Sequence, residues 1–119
     1  MTETTQVKET RPFNPNETIN QIGLGNLFAI SGGRRQIVTN SEGETVQLIL
    51  PVGHGYSVRI LLDWNDTYIV QRIYTRKGVV KVKGERTDVH FPELGDVAYY
   101  ASCYVNVPFG EEKKNDSDN

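Results

Sequence analysis

The chain reads as an α+β domain: a short N-terminal helix, an antiparallel β-meander of about five or six strands, and a C-terminal helix packed on the sheet. Three observations carry that expectation. A capped, proline-started segment opens at NPNE, period-two segments separated by turn residues follow from Thr45 onward, and apolar residues at helical spacing close the chain.

Asn14 is a good N-cap residue, and Pro15 suits the first helical position, where its missing N–H would lack a partner anyway. Glu17 stands three residues after Asn14, where it completes a capping box. Ile19, Ile22 and Leu24 give one apolar stripe. Gly23 and Gly25 then supply the left-handed ending, so a helix of about ten residues is expected.

LFAIS, GGRR and QIVT follow, and two short apolar runs around a Gly-Gly pair predict a hairpin. The same glycines invite comparison with phosphate cradles, against which the spacing argues. A dinucleotide fingerprint needs a third glycine where Phe28 stands, with a strand before and a helix after it. A P-loop needs Lys-Ser or Lys-Thr where the chain has Arg34-Arg35. The glycines therefore read as turns.

TVQLIL puts Val46, Leu48 and Leu50 on one face, and Pro51 closes it before the VGHGY loop. SVRILLDW sends Val58, Ile60 and Leu62 inward and Arg59 outward, and Asn65-Asp66 turns the chain. TYIVQRIYT is mixed, with Ile69 and Ile73 on one face and Tyr68, Val70 and Tyr74 on the other. Arg76-Lys77-Gly78 makes a second turn, after which Val80 and Val82 alternate with Lys81 and Lys83. Alternation with one wet face is what an antiparallel meander requires. Pro92 then sits at a first helical position, Glu93 and Asp96 lie near the positive end of the helix dipole, and Leu94, Val97, Ala98 and Ala101 form the face that packs on the sheet.

A length of 119 residues allows one domain, expected over 14–109. The polar ends, 1–13 and the acidic 110–119, hold too little apolar surface to offset chain entropy and are expected to be disordered tails. The formal charge of −2 gives no global basic signature, and a single cysteine forms no internal disulfide, which fits a reducing compartment. No apolar run approaches the ~20 residues a bilayer requires, so a soluble, cytoplasmic protein without membrane contact is expected.

Few residues offer chemistry. Cys103 is the only thiol, and it sits in the closing helix, where a free cysteine commonly packs as a small hydrophobe. His54 and His90 are too far from it in sequence to form a recognisable zinc set, and no local signature supports a Cys-His nucleophile. His54 lies in a GHG connecting loop. Asp63 and Asp66 flank a turn, where such side chains bond their own backbone. No catalytic residue, cofactor or metal is expected. The one charge feature above background is RIYTRKGVVKVKGER, where Arg72, Arg76, Lys77, Lys81, Lys83 and Arg86 stand against Glu85 alone. With Tyr74, such a basic hairpin 72–86 can track phosphates and stack bases. It also fits a solvated face whose lysines discourage edge-to-edge aggregation.

The order of these segments resembles a family of small uncharacterised bacteriophage and mobile-element proteins. The resemblance rests on Gly25, Asn26, Phe28, Ser31 and Gly32, then Leu48, Leu50 and Pro51, then Val58, Ile60 and Leu62, then Asp66, Tyr68, Val70, Asp88, Val89 and His90. It spans roughly residues 18–105 and departs at Ala29, Ile30 and Arg34-Arg35. It implies a phage-like origin and carries over no catalytic residue. The leading expectation is a non-enzymatic accessory protein that binds a host or phage protein in the host cytosol. A nucleic-acid-binding module using Arg72, Tyr74, Arg76, Lys77, Lys81 and Lys83 is the alternative, and a small-molecule binder or enzyme the third.

Overall fold

The computed structural model describes residues 10–110. The expected tails beyond them, 1–9 and 111–119, lie outside the described residues. The elements run α1 (Pro15–Ile22), α2 (Leu24–Ser31), β1 (Gln36–Thr39), β2 (Thr45–Gly53), β3 (Tyr56–Leu62), β4 (Tyr68–Arg76), β5 (Val79–Val89) and α3 (Leu94–Ser102), with a 3-10 turn at Phe91–Glu93 leading into α3. The strands form one antiparallel meander in the order β1-β2-β3-β4-β5. The α+β architecture is the expected one.

Asn14 caps α1 as read, its Oδ1 accepting from the N–H groups of Asn16 and Glu17 at 2.9 and 3.4 Å. The next segment differs from expectation: LFAIS is helix, not strand. Gly23, at φ 92°, ends α1 and starts α2 in one residue, and the Leu27 N–H already bonds its carbonyl at 2.9 Å. Gly25, expected to stop the first helix, lies inside the second. Leu27, Ile30 and Ser31 are buried, a helical spacing that a strand could not have put on one face. The Gly-Gly pair is still a turn, but it caps a helix: Gly32 takes the left-handed conformation and donates to the Phe28 carbonyl at 2.9 Å.

One face of the sheet carries the helices. Leu48 and Leu50 of β2, Val58 and Ile60 of β3, Val70 of β4 and Val89 of β5 meet Ile19, Ile22, Leu27, Ile30, Leu94, Val97, Ala98 and Ala101 in a single core. All four α3 positions expected to pack are buried, and each fully buried Leu or Val side chain contributes about 1.5–3 kcal/mol. The other face is less wet than expected. Leu61 and Ile69, opposite one another across β3 and β4, are buried there, as is Ile73. Beside them Arg59 Nε donates to Gln71 Oε1 (2.7 Å) and Gln71 Nε2 to Glu85 Oε1 (2.8 Å), a polar ladder across three strands. Burial holds the Arg59 guanidinium below its ordinary value, and Glu85 partly offsets this.

The fold extends past the expected N-terminal boundary and is packed up to the expected C-terminal one. Arg11 bridges Leu62, and the Phe13 N–H bonds the Thr45 carbonyl at 3.0 Å, so residues 11–13 belong to the domain rather than to a tail. At the far end Phe109 is fully buried. It closes the core over Gly84 of β5, where a Cβ would stand 1.7 Å from the Phe109 carbonyl oxygen.

Candidate binding surface

The β4–β5 hairpin has two halves. Lys77 and Gly78 form its turn at φ 53° and 80°, both positive as a tight two-residue hairpin requires, and Arg76 pairs with Val79 across it. From Thr75 to Lys83 every residue is exposed, so this half is an arm reaching past the core. Lys81 stands opposite Tyr74, on the helix-bearing face. Val80 and Val82 stand opposite Thr75 and Ile73 on the other face and are about half exposed, at 48% and 47%. Arg72 pairs with Gly84 and Ile73 with Val82, which leaves Lys83 as the extra residue of a bulge. Strict alternation of Lys81 and Lys83 on one side is therefore broken.

Arg72 does not belong to this surface. It is 3% exposed and points into the core face. Its Nε donates to the Ala101 carbonyl at 2.7 Å, and its Nη2 to those of Tyr100 (3.0 Å) and Val107 (2.6 Å). The Tyr100 carbonyl also accepts from the Cys103 N–H at 3.1 Å, whereas those of Ala101 and Val107 have no such backbone partner among the described residues, and a buried cation at a helix C-terminus is favoured by the dipole as well. The Arg72 guanidinium also lies 5.5 Å from the Phe109 ring centroid, with Arg86 at 5.2 Å. Of the six cations in the basic run, two are thus turned to Phe109. Arg76, Lys77, Lys81 and Lys83 form no ion pair with a described residue.

Tyr74 is half-buried at the base of the arm. Its ring lies 4.9 Å from that of Tyr56, its register partner on β3, and Tyr104, just past α3, stacks on Tyr56 at 4.0 Å and 9°. Tyr104 Oη is 2.8 Å from His54 Nδ1 in the β2–β3 turn. This places the GHG loop as a connection whose imidazole orients an aromatic cluster. Tyr56, Tyr104, Arg72, Asn106 and Val107 line a shallow depression of about 350 Å³ beside it. The Tyr56–Tyr74 contact was legible once two hairpins were assumed, whereas Tyr104 comes from an irregular segment that no periodicity announces.

The remaining candidates fall into structural places. The Cys103 thiol donates to the Tyr99 carbonyl at 3.3 Å. In the β3–β4 turn Asp63 Oδ1 accepts from the Trp64 N–H and the Asp63 carbonyl from the Asp66 N–H, while the Asp66 carboxylate pairs with Arg11. His90 precedes the 3-10 turn, its N–H bonding Glu93 Oε2 at 3.1 Å. A second depression, about 360 Å³, lies at that end between Glu17, Tyr68, His90 and Phe91. Tyr68 Oη donates to Gln21 Oε1 (2.8 Å) and shares a hydrogen bond with Thr18 Oγ1 (3.0 Å). Burial pushes the Tyr68 phenol up, with the Thr18 bond opposing and Glu17 adding to the rise. Among the described residues no group of three His, Cys, Asp or Glu could hold a metal ion, and no helix is long and apolar enough to cross a membrane.

Comparison of the chain with protein-family models, with curated proteins and with solved structures finds no match.

Proposed function

We propose that this chain is a non-enzymatic binding module of phage or mobile-element origin, acting in the host cytosol, and that the β4–β5 arm is its contact surface for a nucleic-acid strand. One observation carries the reading: Arg76, Lys77, Lys81 and Lys83 stand together on a projecting arm without a counter-charge among the described residues. Desolvating an ion pair opposes binding, and four unpaired cations leave that cost out. The tyrosines at the base of the arm add ring surface for bases. A second reading, a host or phage protein as partner, is favoured by the valines exposed on the arm, Val79, Val80 and Val82.

Titration with labelled single- and double-stranded oligonucleotides separates the two. If all four cations meet phosphates, affinity for single strands falls with salt at a log–log slope of about −3, through counterion release. Tyr74→Ala then weakens single-strand binding by about 1–3 kcal/mol per lost stack. The absence of binding at about 50 mM salt removes nucleic acid and leaves a protein partner held by the valine face.

A further inference from the structure

The two edges of the sheet are defended unequally. β5 carries two register breaks, Lys81 and Lys83 without an ion pair to a described residue, and Phe109 and Gly110 laid against Gly84 and Glu85. These are the devices that keep an edge from pairing. β1, the other edge, is QIVT, without a charge or a proline, and all four residues are exposed. No described backbone group bonds its outer side. The apolar surface continues onto the helix above it. Ile37, opposite Leu48 on the helix-bearing face, is 47% exposed. α2 packs on β2, and its Leu24 and Phe28 are 65% and 61% exposed. Phe28 lies against Gly33, beside the segment entering β1.

We infer that β1 is a self-association edge: two copies of this chain pair their β1 strands antiparallel across a two-fold axis, joining two five-stranded sheets into one. Charge identifies the occupant. Arg34 and Arg35 stand immediately before β1, and Glu42 and Glu44 in the β1–β2 turn that follows it, and none forms an ion pair with a described residue. Antiparallel self-pairing sets the arginine end of one copy against the glutamate end of the other, twice. Parallel pairing would set like charges together. The same two-fold brings Leu24 and Phe28 of α2 toward their counterparts over Ile37, as an isologous contact requires.

Sedimentation velocity on the full chain tests this. The parent's mass rises from 13.4 kDa toward twice that value as concentration increases. A range of about 1–500 µM covers the dissociation of an interface this small. Ile37→Lys keeps the species monomeric throughout. The double variants R34E/R35E and E42R/E44R are each monomeric and associate when mixed in equal amounts. The mixture carries the test if Ile37→Lys does not fold. A parent that stays monomeric overturns the inference, as does a dimer indifferent to these substitutions or a mixture that fails to associate.

Discussion

One strand of the basic hairpin holds both a buried cation and an exposed one. Arg72 and Arg76 are four residues apart on β4, so they emerge on the same face of the sheet. Arg72 lies where α3 and Phe109 close over the sheet, and it serves their carbonyls and ring. Arg76 lies where nothing described covers the strand. The core half and the arm half belong to the same two strands, joined through the bulge at Lys83. What differs is which other element reaches that far along the strand. A local excess of charge therefore marks a surface only where the rest of the chain stops short.

Substitutions can break this contrast. Arg72→Met has the largest expected effect. It strands the carbonyls of Ala101 and Val107, and leaving buried hydrogen-bonding groups without partners costs about 1–3 kcal/mol each. Urea unfolding should show a loss of about 3 kcal/mol or more, while Arg76→Met leaves the midpoint where it was. Equal effects at the two positions would dissolve the distinction.

A smaller loss is expected from Gly84→Ala. The added methyl meets the Phe109 carbonyl at a distance no real contact reaches, so the 107–110 segment must move. Overpacking of this kind costs about 1–3 kcal/mol. Gly78→Ala, on the arm, meets no atom and is strained only by its φ of 80°. Thermal unfolding of the two variants side by side measures how far the closing segment governs the core half.

The smallest effect concerns pH. The Tyr68 phenol is raised in the folded state. The unfolded chain therefore loses this proton first as pH rises past about 10. Stability is full below that pH and falls as pH climbs toward the folded value. Tyr68→Phe should cost about 0.5–1.5 kcal/mol at neutral pH, through its bonds to Thr18 and Gln21. It should then lose less than the parent between about pH 9 and 11. Parallel curves for the two proteins would show that Tyr68 is not linked to folding.

Much of the architecture was legible because burial leaves a period. Leu94, Val97, Ala98 and Ala101 all face the core, and the closing helix was read residue by residue. α2 was misread because its outward face is apolar too: with Leu24 and Phe28 exposed, no polar stripe marks the helical period, and Phe28, Ile30 and the Gly-Gly pair then suggest strands. Arg76, Lys77, Lys81 and Lys83 read as a surface from local charge and from the alternation of Lys81 and Lys83; they are exposed, but the bulge at Lys83 breaks the alternation. Arg72 was grouped with them because its surroundings come from Tyr100 to Phe109, about thirty residues later in the chain. Phe109 itself was placed at the very edge of the domain, since a lone aromatic beside a proline carries no periodicity.

The reach of Arg72 toward the end of the chain also bears on the order in which the protein assembles. Strands β1 to β4 can pair with sequence neighbours as they form, through short turns, and such local closures are fast. Arg72 finds the carbonyls of Ala101 and Val107 only after α3 and the turn beyond it exist. Until then its guanidinium has water for a partner, and the core face of β4 stays open. A paired sheet would thus stay unsealed until Phe109 docks against Gly84. Completion of the fold is tied to completion of the last few residues of the domain, so a message truncated before Phe109 yields a protein that never closes.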